Sequence, residues 1–73
     1  MDGMNAQTMR RLLAHQVKRL EPGTFVSIYD EGNSMITRCR LVMYGREKRL
    51  QSLDRLNLYF RIKDDPRHVY LVE

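Results

Sequence analysis

The run SMITRCRLVMY, Ser34 to Tyr44, constrains the fold more than any other part of the chain. At a period of two, Met35, Thr37, Cys39, Leu41 and Met43 fall on one side, and Ile36, Arg38, Arg40, Val42 and Tyr44 on the other. That alternation marks a strand with one face in a core and one toward solvent; a helix would scatter the guanidinium groups through its apolar stripe. The sulfur-bearing and aliphatic side is predicted to point inward, so the arginines point out. Upstream, TFVSIY reads as another strand, and DEGN between the two is a polar turn whose Gly32 and Asn33 tolerate positive φ. The two runs are predicted to pair as a hairpin.

Gly45 breaks the alternation, and it resumes in LNLYFRIK, with Leu56, Leu58, Phe60 and Ile62 inward and Asn57, Tyr59, Arg61 and Lys63 outward. DDPR is a turn fixed by Pro66, and HVYLV closes a second hairpin. Between the hairpins REKRLQSLDR reads two ways: Leu50, Leu53 and Leu56 step by three as in a helical turn, while a fifth strand fits the same residues. Toward the N-terminus, NAQTMRRLLAHQVKRL carries Met9, Leu12, Leu13, Gln16, Val17 and Leu20 at three- and four-residue steps. This predicts an amphipathic helix over 5–20, capped by Asn5 and ended by EPG. Residues 1–4 carry no pattern and are expected to be a frayed tail, leaving 5–73 as one domain. The expected fold is therefore α+β: an N-terminal amphipathic helix on a four-stranded antiparallel sheet of two hairpins, or a small open barrel if the connector is a strand.

The chain has 73 residues, and one this short buries only about 60% of its unfolded surface. A core and an enclosed substrate cavity compete for that interior, so surface recognition is favoured over catalysis. Cys39 is the lone cysteine, which rules out an internal disulfide and a thiolate metal site and suits a reducing cytosol. No apolar run approaches a membrane span and the start has no signal core, so the expected location is cytoplasmic, in a monomer. The formal net charge is +4, and ten of the thirteen cations are Arg, the side chain suited to bidentate and stacked contacts. Such a balance favours acidic partners, whether nucleic acid or a protein face.

Catalytic chemistry finds little footing. His15 and His68 lie far apart without metal-ligand spacing, Cys39 falls on the core face, and Asp64 and Asp65 precede a turn proline. No catalytic residue, metal or cofactor is expected. The stronger signal is a basic aromatic face: Arg38, Arg40 and Tyr44 on one strand, Tyr59 and Arg61 on another, with Arg46, Lys48 and Arg49 beside them. Arg with Tyr on a sheet suits a protein hot spot or single-stranded nucleic acid. Arg10, Arg11, Lys18 and Arg19 form a second, helix-borne basic face.

Three resemblances bear on function. The C-terminal YFRIKDDPRHVYLVE resembles the terminal hairpin of RelE/ParE-type toxins, which would make Tyr59, Arg61, Lys63 and His68 an RNA- or host-protein-directed face. A helix followed by short strands, with VSIYDEGNS at the first turn, is similar to an Sm-like RNA-binding protomer; where that family carries glycine and Asp/Asn, this chain has RCRLVMY. In length, basic cysteine-poor composition and compact layout, the chain as a whole resembles small phage-encoded regulators of bacterial RNA polymerase, of the kind made by lytic Xanthomonas phages. That resemblance implies a non-enzymatic regulator that binds a polymerase subunit, inhibits initiation and promotes terminator read-through. The expected docking surface is Arg38, Arg40, Tyr44, Arg46, Lys48, Arg49, Tyr59 and Arg61.

Overall fold

A computed structural model describes residues 9–72. The expectation of an α+β fold with a long N-terminal helix is overturned. Of the described residues 52% are strand and 6% helix, and no helix reaches seven residues. The elements are β1 (Arg10–Leu12), α1 (Ala14–Val17), β2 (Phe25–Asp30), β3 (Met35–Tyr44), β4 (Glu47–Ser52), β5 (Tyr59–Arg61) and β6 (His68–Val72). They build one antiparallel sheet in the order β1-β6-β2-β3-β4-β5.

Sheet pairing has overridden helix periodicity at the N-terminus. Arg10, Arg11 and Leu12 pair with Val72, Leu71 and Tyr70, satisfying one edge of β6 that would otherwise expose a row of backbone donors and acceptors. A helix of about 15 residues is marginal in water without tertiary support, whereas this pairing gains both hydrogen bonds and burial. The apolar spacing survives only in α1, a single turn that sends Ala14 and Val17 into the core. Its first turn is steadied by Gln16 Oε1, which accepts from the Leu13 N–H at 2.8 Å. The expected Asn5 cap and the tail over residues 1–4 lie outside the described residues.

The first hairpin forms as expected, β2 against β3 with Val26 opposite Cys39 and Ile28 opposite Thr37. In its turn, however, the positive φ falls on Ser34 at 52°, not on Gly32 or Asn33. Asp30 holds the turn by accepting from the Gly32 N–H at 3.0 Å and from Asn33 Nδ2 at 3.1 Å. The ambiguous connector is a strand: β4 returns along β3 with Tyr44 opposite Glu47, across a two-residue turn. Gly45, at φ 67°, supplies the left-handed first position that such a turn requires.

The second expected hairpin does not exist as such. β5 pairs with β4, while β6 crosses over and inserts between β1 and β2. Tyr70 pins this crossover: its hydroxyl accepts from the Lys63 N–H and donates to the Lys63 carbonyl, each at 2.9 Å. The sheet thereby curls, bringing the end of β5 back toward β6 around one core of Val17, Val26, Ile28, Cys39, Leu41, Leu50, Ile62, Tyr70 and Val72. Leu56 and Leu58, expected inward, precede the short β5 and are 63% and 38% exposed; only Phe60 and Ile62 of that run pack on the core. No described helix is long and apolar enough to cross a membrane.

Candidate binding surface

Curling gives the sheet an inner face filled by the core and an outer face open to partners. Strand alternation sends Val26 and Ile28, Cys39 and Leu41, and Leu50 and Ser52 inward. Their neighbours Phe25, Arg38, Arg40, Val42, Tyr44, Arg49, Tyr59 and Arg61 therefore lie on the outer face, where directly opposed residues share a side. This outer face divides into two regions of different character.

Around β4 and β5 the charged side chains engage one another. Glu47 Oε2 lies 3.3 Å from Arg49 Nε and 3.7 Å from Arg61 Nε. The Arg49 guanidinium sits 4.0 Å above the centre of the Tyr44 ring, and that ring meets Tyr59 at 5.0 Å, tilted by 59°. Gln51 Nε2 donates to the Tyr59 hydroxyl at 3.2 Å and to the Leu56 carbonyl at 2.6 Å. Arg49 is only 18% exposed along its side chain as a result. Four of the expected docking residues are thus partly occupied within the protein: Tyr44, Arg49, Tyr59 and Arg61.

Around β2 and β3 the opposite holds. Arg38 and Arg40 are exposed, and among the described residues neither has a carboxylate within ion-pair distance. Arg40 stands between Phe25 and Gln51, and Arg38 beside Ser27. Next to Arg38 a surface cleft of about 460 Å3 is lined by Met9, Phe25, Ser27, Leu53 and Leu71. Phe25 is 60% and Leu53 41% exposed, so large apolar surface surrounds a guanidinium that has no ion pair among the described residues. The cleft is held from below by backbone: Leu53 N–H donates to the Arg38 carbonyl at 2.9 Å, and the Ser52 hydroxyl accepts from Asp54 and Arg55 N–H to shape the turn that carries Leu53.

Phe25, Leu53 and Leu71 are absent from the expected docking surface. Phe25 could have been placed from phase alone, because Val26 and Ile28 claim the inward side of β2 and leave Phe25 and Tyr29 outside. Leu53 is placed by the register of β4 on β3, and Leu71 by the crossover that pairs β6 with β2.

Two other expected docking residues, and the second basic face, fall elsewhere. Arg46 occupies the β3–β4 turn. Lys48 lies on the inner side of β4, where its Nζ donates to the carbonyls of Lys18 at 2.9 Å and Leu20 at 2.7 Å, tying down the chain beyond α1. The second basic face is not a helix face: Arg10 and Arg11 belong to β1, and Lys18 and Arg19 follow α1.

Potentially reactive groups are muted. Burial pushes the Cys39 thiol up to about 11, with Asp54 adding to the shift, so the thiolate nucleophile is scarce at neutral pH. No group of three or more His, Cys, Asp or Glu among the described residues could hold a metal. Tyr59, Arg61, Lys63 and His68 do line one cleft of about 340 Å3, with Asp30 Oδ2 3.8 Å from His68 Nε2. Within it Arg61 Nε lies 3.7 Å from Glu47 Oε2, and the Tyr59 hydroxyl accepts from Gln51 Nε2 at 3.2 Å. Fold and surface together define a curled antiparallel β domain with an exposed apolar cleft beside arginines that have no ion pair among the described residues. No known family model matches the chain, and no curated protein or solved structure matches it either.

Proposed function

We propose that this chain is a non-enzymatic binding domain that docks a protein partner through the β2–β3 half of its outer face. The carrying observation is Arg38, without an ion pair among the described residues, at the rim of the cleft formed by Phe25, Leu53 and Leu71. A guanidinium held beside apolar surface is the composition of an interface hot spot, where a desolvated Arg and an aromatic anchor carry most of the free energy. The partner surface that complements it presents an acidic side chain next to an aliphatic or aromatic one.

The same geometry disfavours this face as a platform for stacked bases. Tyr44 has one ring face covered by Arg49, and Tyr59 is tilted against it, which leaves Phe25 and Tyr29 as the remaining outward aromatics. The whole-chain resemblance to phage regulators puts a subunit of bacterial RNA polymerase first among partners, with inhibition of initiation as the consequence and terminator read-through as a further one. The test is retention of purified polymerase, core and holoenzyme, on the immobilised protein in moderate salt after nuclease treatment. Retention that Arg38→Glu abolishes supports the reading; no retention of either form removes polymerase as the partner. An RNA-cleavage assay with wild type and Arg61→Ala separates the toxin-like alternative, which requires cleavage that the variant loses.

A further inference from the structure

We propose a second binding site, distinct from the outer cleft, that takes the phosphate backbone of nucleic acid without reading its sequence. At the end of the curled sheet, where β3, β4 and the exit of β5 approach the chain beyond α1, lies a groove of about 660 Å3. It is lined by Lys18, Arg46, Lys48, Arg61 and Lys63, with Glu47 as the one carboxylate. Those cations exceed the acid by four, which equals the formal surplus of the entire chain, so the remainder of the protein is balanced. All three lysines of the sequence are here, from three regions far apart in the chain that only the fold brings together.

The groove's lysine-rich chemistry favours a run of phosphates over an acidic peptide. Lysine ammonium groups act as compact, rotatable point charges, suited to phosphates whose exact register varies, whereas the bidentate fork of Arg suits carboxylate and phosphate alike where the geometry is fixed. Glu47 also draws Arg61 toward itself at 3.7 Å, weighting the groove further to lysine. No aromatic residue lines it, so it has no stacking surface with which to select bases. Lys48 spends two of its three N–H donors on the Lys18 and Leu20 carbonyls, which fixes its charge at the back of the groove and holds Lys18 beside it. Met43 and Ile62 supply a small apolar floor.

The measurement is fluorescence anisotropy of the full chain with a labelled random-sequence DNA duplex of roughly 20 base pairs, titrated across salt. Because each neutralised phosphate releases condensed counterions, log affinity should fall linearly with log salt, at about 0.9 per contact. Changing Lys18, Arg46 and Lys63 together to Gln removes three exposed charges without touching the core, and should weaken binding by on the order of a hundredfold near 0.1 M salt. Arg38→Glu, on the other face, should leave the affinity within about threefold, since its charge lies outside the groove. Scrambling the duplex sequence should change nothing. A thermal melt of the triple variant guards against misfolding, and Lys63→Gln alone should lower the salt slope by about 0.9. The proposal is overturned by no binding at about 50 mM salt, by a triple variant that is folded and binds as wild type, or by polyglutamate competing as well as DNA. It is also overturned if Arg38→Glu weakens DNA binding as much as the triple variant does.

Discussion

The two halves of the outer sheet face have the same kind of sequence and opposite states. On β3, Arg38 and Arg40 alternate with buried Cys39 and Leu41; on β4 and β5, Arg49 and Arg61 alternate with buried Leu50 and Ile62. Strand phase treats all four alike. What separates them is Glu47, a single carboxylate whose Oε2 reaches both Arg49 and Arg61, together with the Tyr44 ring under Arg49. The β2–β3 half has no such acid among the described residues, and its nearest outward neighbours are Phe25, Ser27 and Leu53. An outward cation in a strand is therefore available to a partner only when its cross-strand neighbours leave it so. Those neighbours are a property of register, which lies beyond the strand itself.

The hardest challenge to this contrast comes from beneath it. Leu41 is fully buried and sits between the two halves, opposite Leu50 on β4. Leu41→Ala should cost about 2–5 kcal/mol in chemical denaturation, a large part of what a domain this small possesses. Both halves should then fail together; a loss of polymerase retention with no change in stability would mean that Leu41 is not where the two faces meet. Next in size is Arg40→Glu, which should leave the melting temperature nearly unchanged and reduce partner affinity by a hot-spot amount, about 2 kcal/mol or roughly thirtyfold. The matching change Arg49→Glu should affect partner affinity far less. Equal losses from both would erase the distinction between the halves.

Much of this surface was legible from the sequence and much was not. The phase of β3 follows from a ten-residue alternation, long enough that only one register buries Cys39 and Leu41. The phase of β4 was hidden, because Leu50, Leu53 and Leu56 also satisfy a helical step; the structure uses only Leu50 of these in the core. The N-terminal helix misled for the opposite reason. Its apolar spacing is real, yet Leu12 serves a strand and Val17 a single turn, since the open edge of β6 offered pairing that an isolated helix could not match. The crossover that sends β6 to β2 is held by Tyr70 and the Lys63 backbone, contacts with no local sequence signal. That crossover also places Leu71 across Ser27 from Arg38, so the cleft itself was beyond reach of any pattern in the chain.

A smaller effect probes the inward side of β3. Burial raises the Cys39 thiol to about 11 and raises Tyr70 as well, the latter also by burial first. For groups whose folded value lies above the unfolded one, the stabilisation is complete below the unfolded pKa and is lost as pH rises toward the folded value. These two groups should therefore add no pH dependence to stability through neutral pH and lower it above about 9, where an unfolded thiol ionises. Alkylation of Cys39 at neutral pH should require denaturant. Rapid labelling of the native protein would place Cys39 outside the core and break the phase on which Arg38 and Arg40 depend.

The smallest change discriminates most finely. Glu47→Gln keeps the shape of the side chain and removes the charge that Arg49 and Arg61 share. Both contacts are at least partly solvent-screened, so the expected cost is about 0.2–1 kcal/mol, near the limit of what equilibrium unfolding resolves. The Tyr44–Tyr59 contact and the Arg49 stacking do not require the carboxylate and should persist. Partner affinity through Arg38 should not move, because Glu47 lies opposite Tyr44 at the far end of β3. Affinity for a DNA duplex should rise, since the end groove loses its one acid and Arg61 is released to it. A cost above about 2 kcal/mol would instead mean that Glu47 anchors the β4–β5 fold. In that event the occupied half of the face is a structural element whose cations were never available, and the functional contrast rests on the β2–β3 half alone.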